Sequence, residues 1–290
     1  MNDYITTIAA KLLTICENPE YAQQEAWWLL QHITNKTATQ LITHHAPLTE
    51  QQYLALMDLV EQRIQGIPLQ YLLQTVPFLD LTITVRPPIL IPRPETEEWV
   101  HHLITMLHPQ AKSPLKILDL CTGSGCIALA LGRALPNATI VGIDKNPEAI
   151  ALAEENKKNN NQKNVTFFCA DICQPLPHSL QSHIIVSNPP YLSAEEYEIL
   201  EPSVKNWEDK DALVGGHDGM LLYSTILQIA PELLLPLPNT DNHIPQVYLE
   251  IGPAQEHALP KAISQQNKFS HSIYKDISGK DRLFQLIYKP

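Results

Sequence analysis

From Pro114 onward, short apolar runs alternate with amphipathic helical stretches, and this alternation constrains the fold more than any other feature of the 290-residue chain. Residues 115–120, 139–143, 165–169 and 183–187 each read as a strand, with helices over 126–135 and 147–158. Strands that are apolar along their whole length are buried on both faces. Separated by helices, they predict a largely parallel sheet covered on each side. Residues 247–251 read as a fifth strand, and 268–275 with 282–288, alternating about Gly279, predict a hairpin closing a sheet edge.

The first third of the chain has a different period. Ile5, Ile8, Leu12 and Ile15 recur at helical spacing. Thr49 and Gln52 form a capping box before a helix with Tyr53, Leu56, Val60 and Ile64 on one side, stopped by Gly66 and Pro68. Residues 78–85 look β-like, and Pro87, Pro88, Pro92 and Pro94 then forbid regular helix, so a short hairpin or extended linker is expected before a helix over 95–107. The layout expected is an all-α domain at 1–70, a linker at 71–94 and an α/β domain at 95–290, in keeping with a length that suits two domains.

Composition removes several function classes. At 44% hydrophobic and 18% charged residues the chain is a packed globular protein. Its 20 Lys and Arg against 31 Asp and Glu give a net charge of −11, which repels phosphate backbones, so direct nucleic-acid binding is not expected. Residues 1–90 are acidic on their own, with four Lys or Arg against eight Asp or Glu, which suits a protein partner. No apolar run reaches the roughly 18 residues of a membrane span, and the start lacks a secretory pattern. Five cysteines, an odd and low number, imply reduced thiols and a cytoplasmic protein. Cys169 and Cys173 near His178 lack a second ligand pair, and the adjacent histidines 44–45 and 101–102 point apart on a helix, so no metal is expected. A monomer is expected.

Two motifs carry chemistry. Asp119-Leu120-Cys121-Thr122-Gly123-Ser124-Gly125 joins the first strand of the α/β domain to its helix. Glycines there permit a tight turn close to a ligand, and the following helix N-terminus offers free N–H groups. Asp144 ends the next strand, where a carboxylate accepts both hydroxyls of a ribose. Neither a complete dinucleotide fingerprint nor a Walker loop follows. Asp119 and Asp171 fit an adenosine carrying a sulfonium, which points to S-adenosylmethionine as cofactor.

The second motif is Asn188-Pro189-Pro190-Tyr191, at the carboxyl end of the fourth strand. Consecutive prolines fix the backbone and remove an N–H, leaving two acceptors, the Asn188 side-chain oxygen and the Pro189 carbonyl, for an –NH2 group with two donors. A planar amide or aromatic amine is a poor nucleophile because its lone pair is delocalised. Two acceptors that hold its N–H bonds orient the nitrogen and raise its electron density as it attacks a methyl group. Tyr191 packs against the planar group.

These residues resemble the protein-(glutamine-N5) methyltransferases, in particular the branch acting on peptide chain release factors. The resemblance extends through 66–71 (Gly-Ile-Pro-Leu-Gln-Tyr), 89–97 (Ile-Leu-Ile-Pro-Arg-Pro-Glu-Thr-Glu), Ala212-Leu213 with Gly216, Asp218 and Gly219, Glu250-Ile251-Gly252, and Asp276 with Gly279, Lys280, Asp281 and Arg282. The branch acting on a ribosomal protein usually has a different stretch at 93–97. The family fold implied is a class I S-adenosylmethionine-dependent methyltransferase, a Rossmann-like seven-stranded sheet, preceded by a small helical domain and a β-hairpin linker. The resemblance implies methylation of the glutamine in the Gly-Gly-Gln tip of class 1 release factors, with the helical domain docking the factor. Carried over by position, Cys121, Thr122, Gly123, Ser124, Gly125, Asp144, Asp171, Ile172 and Asn188 bind the cofactor. Asn188, Pro189, Pro190 and Tyr191 take the glutamine, with Asn188, Pro189 and Tyr191 catalytic.

The sequence also departs from the family pattern. Cys121 replaces a usual glycine, so its φ is negative or its backbone strained. Ile172 stands where an aromatic is common, Asp209 where Pro is common, and Gln74 where Gly is usual. Arg93 and Glu97 either shape the mouth of the site or form a linker ion pair. Of Trp27 and Trp28, one is expected in the helical core and the other at a docking surface. Three other functions compete: methylation of a ribosomal protein glutamine, adenine-N6 methylation of nucleic acid, and a non-enzymatic adaptor on the same fold. The acidic charge opposes the second, and the intact Asn-Pro-Pro-Tyr corner opposes the third.

Overall fold

The computed structural model describes residues 2–44, 47–107, 114–235, 246–264 and 268–288. The chain forms two compact units, one of residues 1–75 with 201–207, the other of 76–200 with 208–290. Among the described residues no helix is long and apolar enough to cross a membrane. Of the adjacent histidines, His45 lies outside the described residues.

The first unit contains α1 (Asn2–Leu12), α2 (Pro19–Thr34), α3 (Ala38–His44), α4 (Glu50–Ile64) and α5 (Leu69–Leu73). Ile5, Ile8 and Leu12 of α1 bury against Ala22, Ala26, Leu29 and Leu30 of α2 and Leu56 and Val60 of α4. Pro19 opens α2 behind an Asn18 cap, and the Thr49–Gln52 capping box starts α4, so both helix starts follow their sequence signals. Trp27 packs against this core, whereas Trp28 is 46% exposed. A two-pronged Arg63–Glu25 ion pair, at 2.9 and 3.0 Å, fastens α4 to α2.

α5 ends at Gln74, whose φ of 63° lies in the left-handed region that glycine occupies without strain. Gln74 is exposed, so a smaller residue forfeits little packing. Gln74→Gly is therefore expected to stabilise the protein by about 1 kcal/mol, read as a raised denaturant midpoint with an unchanged slope.

In the second unit, β1 (Thr75–Phe78) and β2 (Leu81–Thr84) form a two-stranded hairpin. The β-like run expected over 78–85 is thus broken at Leu79-Asp80. Leu79 takes φ 53°, and its N–H is held at 2.8 Å by the Glu97 carboxylate of α6 (Pro94–Leu107). Neither residue is a glycine or asparagine, so the turn carries no sequence signal.

The sheet that follows contains β3 (Lys116–Leu120), β4 (Thr139–Asp144), β5 (Val165–Cys169), β6 (Ile184–Ser187), β7 (Gln246–Glu250), β8 (Phe269–Lys275) and β9 (Asp281–Tyr288). Their order is β5-β4-β3-β6-β7-β9-β8. The first five are parallel, and β9 runs antiparallel between β7 and β8. This is the seven-stranded class I methyltransferase sheet that the resemblance implied. α7 (Cys126–Ala134) and α8 (Pro147–Asn159) connect β3 to β4 and β4 to β5. Short helices α9 (Ala194–Glu198), α10 (Pro202–Lys205) and α11 (Lys210–Leu213) precede α12 (Leu221–Leu233) and α13 (Gln255–Ser264); α10 belongs to the first unit.

The chain winds outward from β3 through β4 to β5, then restarts at β6 on the other side of β3. Leu120 and Ser187 end these neighbouring strands in register, and the Ser187 hydroxyl donates to the Leu120 carbonyl at 2.7 Å. A parallel sheet opens a crevice at such a switch point, beyond the carboxyl ends of the strands.

Candidate active site

Two cavities open at that crevice. The larger is about 380 Å³ and the smaller about 50 Å³. Leu90, Asn188, Pro190 and Ala212 line both, so the corner after β6 is their common wall.

The glycine loop supplies one side of the larger cavity. Cys121 and Gly123 face it, with φ 59° and 53°, so the strained alternative holds for Cys121. Thr122, Ser124 and Gly125 do not line this cavity; they hold the loop. Thr122 is buried and its hydroxyl donates to Asp119 at 2.5 Å, while the Ser124 carbonyl accepts from the buried Asn156 side chain at 3.0 Å. Gly125 takes φ 81°, and a Cβ there would lie 2.8 Å from the Phe167 ring, so this glycine serves close packing of helix on sheet.

Asp144 lines the cavity from the end of β4. One carboxylate oxygen accepts the Gly123 N–H and the other the Asn146 N–H, both at 2.9 Å. Each oxygen keeps a further lone pair for a vicinal diol. Burial pushes its pKa up, and the two N–H groups pull it back. Asp171 and Ile172 complete this wall with Ala149. A cavity of this volume, with a carboxylate braced by two backbone N–H groups at the end of β4 and apolar surface beside it, fits S-adenosylmethionine.

Asp119, read from sequence as facing the cofactor, is fully buried beneath the loop and does not line the cavity. One of its carboxylate oxygens has no partner. Burial raises its pKa to about 7 against the pull of the Thr122 hydroxyl and the Ala128 N–H. An ordinary Asp in the unfolded chain titrates near 4. Between about pH 4 and 7 the folded state therefore binds the extra proton, and stability falls as pH rises through that window. Asp119→Asn removes this dependence. Its stability relative to wild type is expected to improve by about 4 kcal/mol from pH 4 to pH 8, measured by denaturant unfolding at both values.

The smaller cavity is a slot lined by Asn188, Pro189, Pro190 and Tyr191 together with Arg93, Leu192, Leu213 and Glu250. No backbone hydrogen bond among the described residues engages the Pro189 carbonyl. Asn188 directs its side-chain nitrogen to the Thr96 hydroxyl at 3.2 Å, which leaves its oxygen for a ligand. The Tyr191 hydroxyl is held protonated, its pKa raised to about 12 by burial and by the Glu250 charge. Leu192 and Val214 bridge, Gly215 donates to the Leu192 carbonyl at 2.9 Å, and Gln255 donates to the Tyr191 carbonyl at 3.0 Å. The corner is thus fixed from both sides.

Arg93 and Glu97 do not pair with each other. Glu97 holds the hairpin turn, and Arg93 binds both oxygens of the buried Glu208 at 2.6 Å at the edge of the slot. Asp209 caps α11 through the Asp211 N–H at 3.0 Å and donates its own N–H to Pro88 at 2.7 Å. The sequence alone does not single out Thr96, Trp99 and Glu250 as site residues, although Thr96 and Glu250 stand within motifs that carry the resemblance.

A family model described as the PrmC N-terminal domain matches residues 9–73, and one described as a methyltransferase domain matches 111–230. A release factor glutamine methyltransferase of Thermodesulfovibrio yellowstonii is 36% identical over 276 residues, covering 95% of this chain and 96% of that protein. One of Lactococcus lactis is 37% identical over 262 residues, covering 89% and 91%. Among solved structures, the hMettl16 catalytic domain in complex with an RNA hairpin superposes with a TM-score of 0.56 at 14% identity, covering 83% of each chain, a likeness of fold alone. With identity at this level along nearly the full length of both proteins, and a site built for S-adenosylmethionine, the chain is an enzyme that belongs to the release factor glutamine methyltransferase family.

Proposed function

We propose that the chain transfers the methyl group of S-adenosylmethionine to the side-chain nitrogen of the glutamine in the Gly-Gly-Gln motif of class 1 peptide chain release factors. The observation that carries this reading is the slot of about 50 Å³ sharing Asn188 with the cofactor-sized cavity. At roughly 10–15 Å³ of such space per water-sized group, it holds about four heavy atoms, the end of a glutamine side chain.

When bound, S-adenosylmethionine supplies an electrophilic methyl carbon. The residues of the chain prepare the nitrogen. The Asn188 oxygen and the Pro189 carbonyl accept its two N–H bonds, which turns its lone pair toward the larger cavity and offsets amide delocalisation as the nitrogen becomes tetrahedral. The N-methylated amide cation is strongly acidic and gives up one of those two protons to water, so no strong general base is required. Holding the partners in line contributes on the order of 7–11 kcal/mol toward the barrier. Pro190 and the ring of Tyr191 restrict the amide plane. Trp28, exposed on the helical unit, serves as a docking contact for the factor. The chain acts as a monomer without binding nucleic acid. Five free cysteines suit a reducing cytoplasm.

The test is transfer of labelled methyl from S-adenosylmethionine to purified acceptors offered separately: a class 1 release factor, a glutamine-bearing ribosomal protein, RNA and DNA. Label on the release factor alone supports the proposal. Label on RNA or DNA, or only on the ribosomal protein, overturns the substrate assignment.

A further inference from the structure

Behind Asn188 lies a chain of buried polar groups that does not line the larger cavity and reaches the slot only through Glu250. Glu250 ends β7, next to β6, and is 1% exposed. Thr96 and Trp99 stand one turn apart near the start of α6, 2% and 3% exposed, so both face the same way. The Thr96 hydroxyl and the Trp99 indole N–H donate to the same Glu250 oxygen, at 2.6 and 2.7 Å. The strand end is itself held, because the Tyr223 hydroxyl donates to the Glu250 carbonyl at 2.6 Å.

These bonds leave one outcome for Asn188. A hydroxyl has a single hydrogen, and that of Thr96 is committed to a buried carboxylate, a short charge-assisted bond. Trp99 is donor-only and fixes which carboxylate oxygen receives it. Toward Asn188, Thr96 therefore offers only lone pairs. The side-chain nitrogen of Asn188 can meet them, and its oxygen cannot. We propose that Thr96, set by Glu250 and Trp99, is the positioning residue that keeps the Asn188 carboxamide from flipping, so that its oxygen always faces the slot. Flipped, Asn188 would present two donors to a substrate amide that itself has two donors, and the pair would repel. This inference rests on the reading of Asn188 as acceptor for the substrate nitrogen.

The test uses the full-length enzyme with a release factor as acceptor. Thr96→Val keeps the shape and removes the hydroxyl, so both orientations of Asn188 become accessible. Its kcat is expected to fall roughly 10- to 100-fold, while the cofactor Kd stays close to wild type; the melting temperature falls, because the buried Glu250 carboxylate loses one of its two side-chain donors. Thr96→Ser is expected to restore kcat, because the relay hydroxyl returns. Glu250→Gln separates positioning from proton removal. Its amide oxygen can still accept from both Thr96 and Trp99, so its kcat is expected to fall less than that of Thr96→Val, whereas loss of a general base would make it the more damaging change. If Thr96→Val fails to fold, Thr96→Ala carries the same expectation. Wild-type kcat in the folded Val or Ala variant, with Asn188→Ala inactive, overturns the positioning role and leaves the site reading intact. Near-complete loss of kcat in Glu250→Gln also overturns it, in favour of a base. An active Asn188→Ala overturns the acceptor reading itself, and this inference with it.

Discussion

Asn188→Ala is expected to lower kcat about 1,000-fold or more while changing the affinity for S-adenosylmethionine less than about tenfold. The asymmetry follows from what the side chain touches. Asn188 lines both cavities, but the larger one keeps its Asp144 carboxylate, braced by two backbone N–H groups, and its apolar wall at Ile172 and Ala149. The slot has no such redundancy. On the proposed reading, removing the Asn188 oxygen leaves one substrate N–H without an acceptor in the slot, and the Thr96 hydroxyl loses its amide partner. Calorimetry for the cofactor and single-turnover methyl transfer for kcat separate the two effects. A loss of cofactor binding as large as the loss of rate would place Asn188 in the cofactor site alone.

The second large effect lies outside the tetrapeptide. Gly219 has φ 73°, and a Cβ built on it would stand 2.2 Å from the Tyr191 carbonyl oxygen and 2.8 Å from the Gln255 amide nitrogen. The first of these is backbone and cannot swing away. Gly219→Ala is therefore expected to cost about 3 kcal/mol or more in stability, combining left-handed strain with a main-chain clash. Where the variant folds, Tyr191 and the slot must shift, and methyl transfer is expected to fall at least about 100-fold, since displacements of about 1 Å at a reacting centre have that effect. Gly279 provides the control. Its φ is 79°, yet a Cβ added there would meet nothing within 4 Å, so Gly279→Ala is expected to show only the strain, about 1 kcal/mol, with unchanged activity. Equal losses of activity in both variants would show that the close approach to Tyr191 is irrelevant.

How much of this is legible in the chain depends on the range over which each signal acts. The parallel strands are readable because each is a continuous apolar run bounded by helix-forming sequence, and the Thr49–Gln52 capping box because its partners stand three residues apart. The hairpin turn is not: Leu79 adopts its left-handed conformation because Glu97, eighteen positions on, holds its N–H. The glycine loop announces itself as a loop, but which members face the cavity depends on contacts with Phe167, Asn156 and Asp119 that no local pattern encodes. For the same reason Asp119 reads in sequence like a cofactor ligand, although it lies under the loop with an unpartnered oxygen. The Asn-Pro-Pro-Tyr corner is legible because its rigidity is written in two consecutive prolines. Its backing by Thr96, Trp99 and Glu250 is not, because those side chains meet Asn188 only once α6 and β7 have packed beside β6.

The most direct measurement is peptide-resolved mass spectrometry of a class 1 release factor after incubation with S-adenosylmethionine and either the wild-type enzyme or Asn188→Ala. One added methyl group on the side chain of the Gly-Gly-Gln glutamine, absent with the variant, is the predicted result. An unmodified glutamine after incubation with folded, cofactor-binding wild-type enzyme, or a methyl group on any other residue, would contradict it.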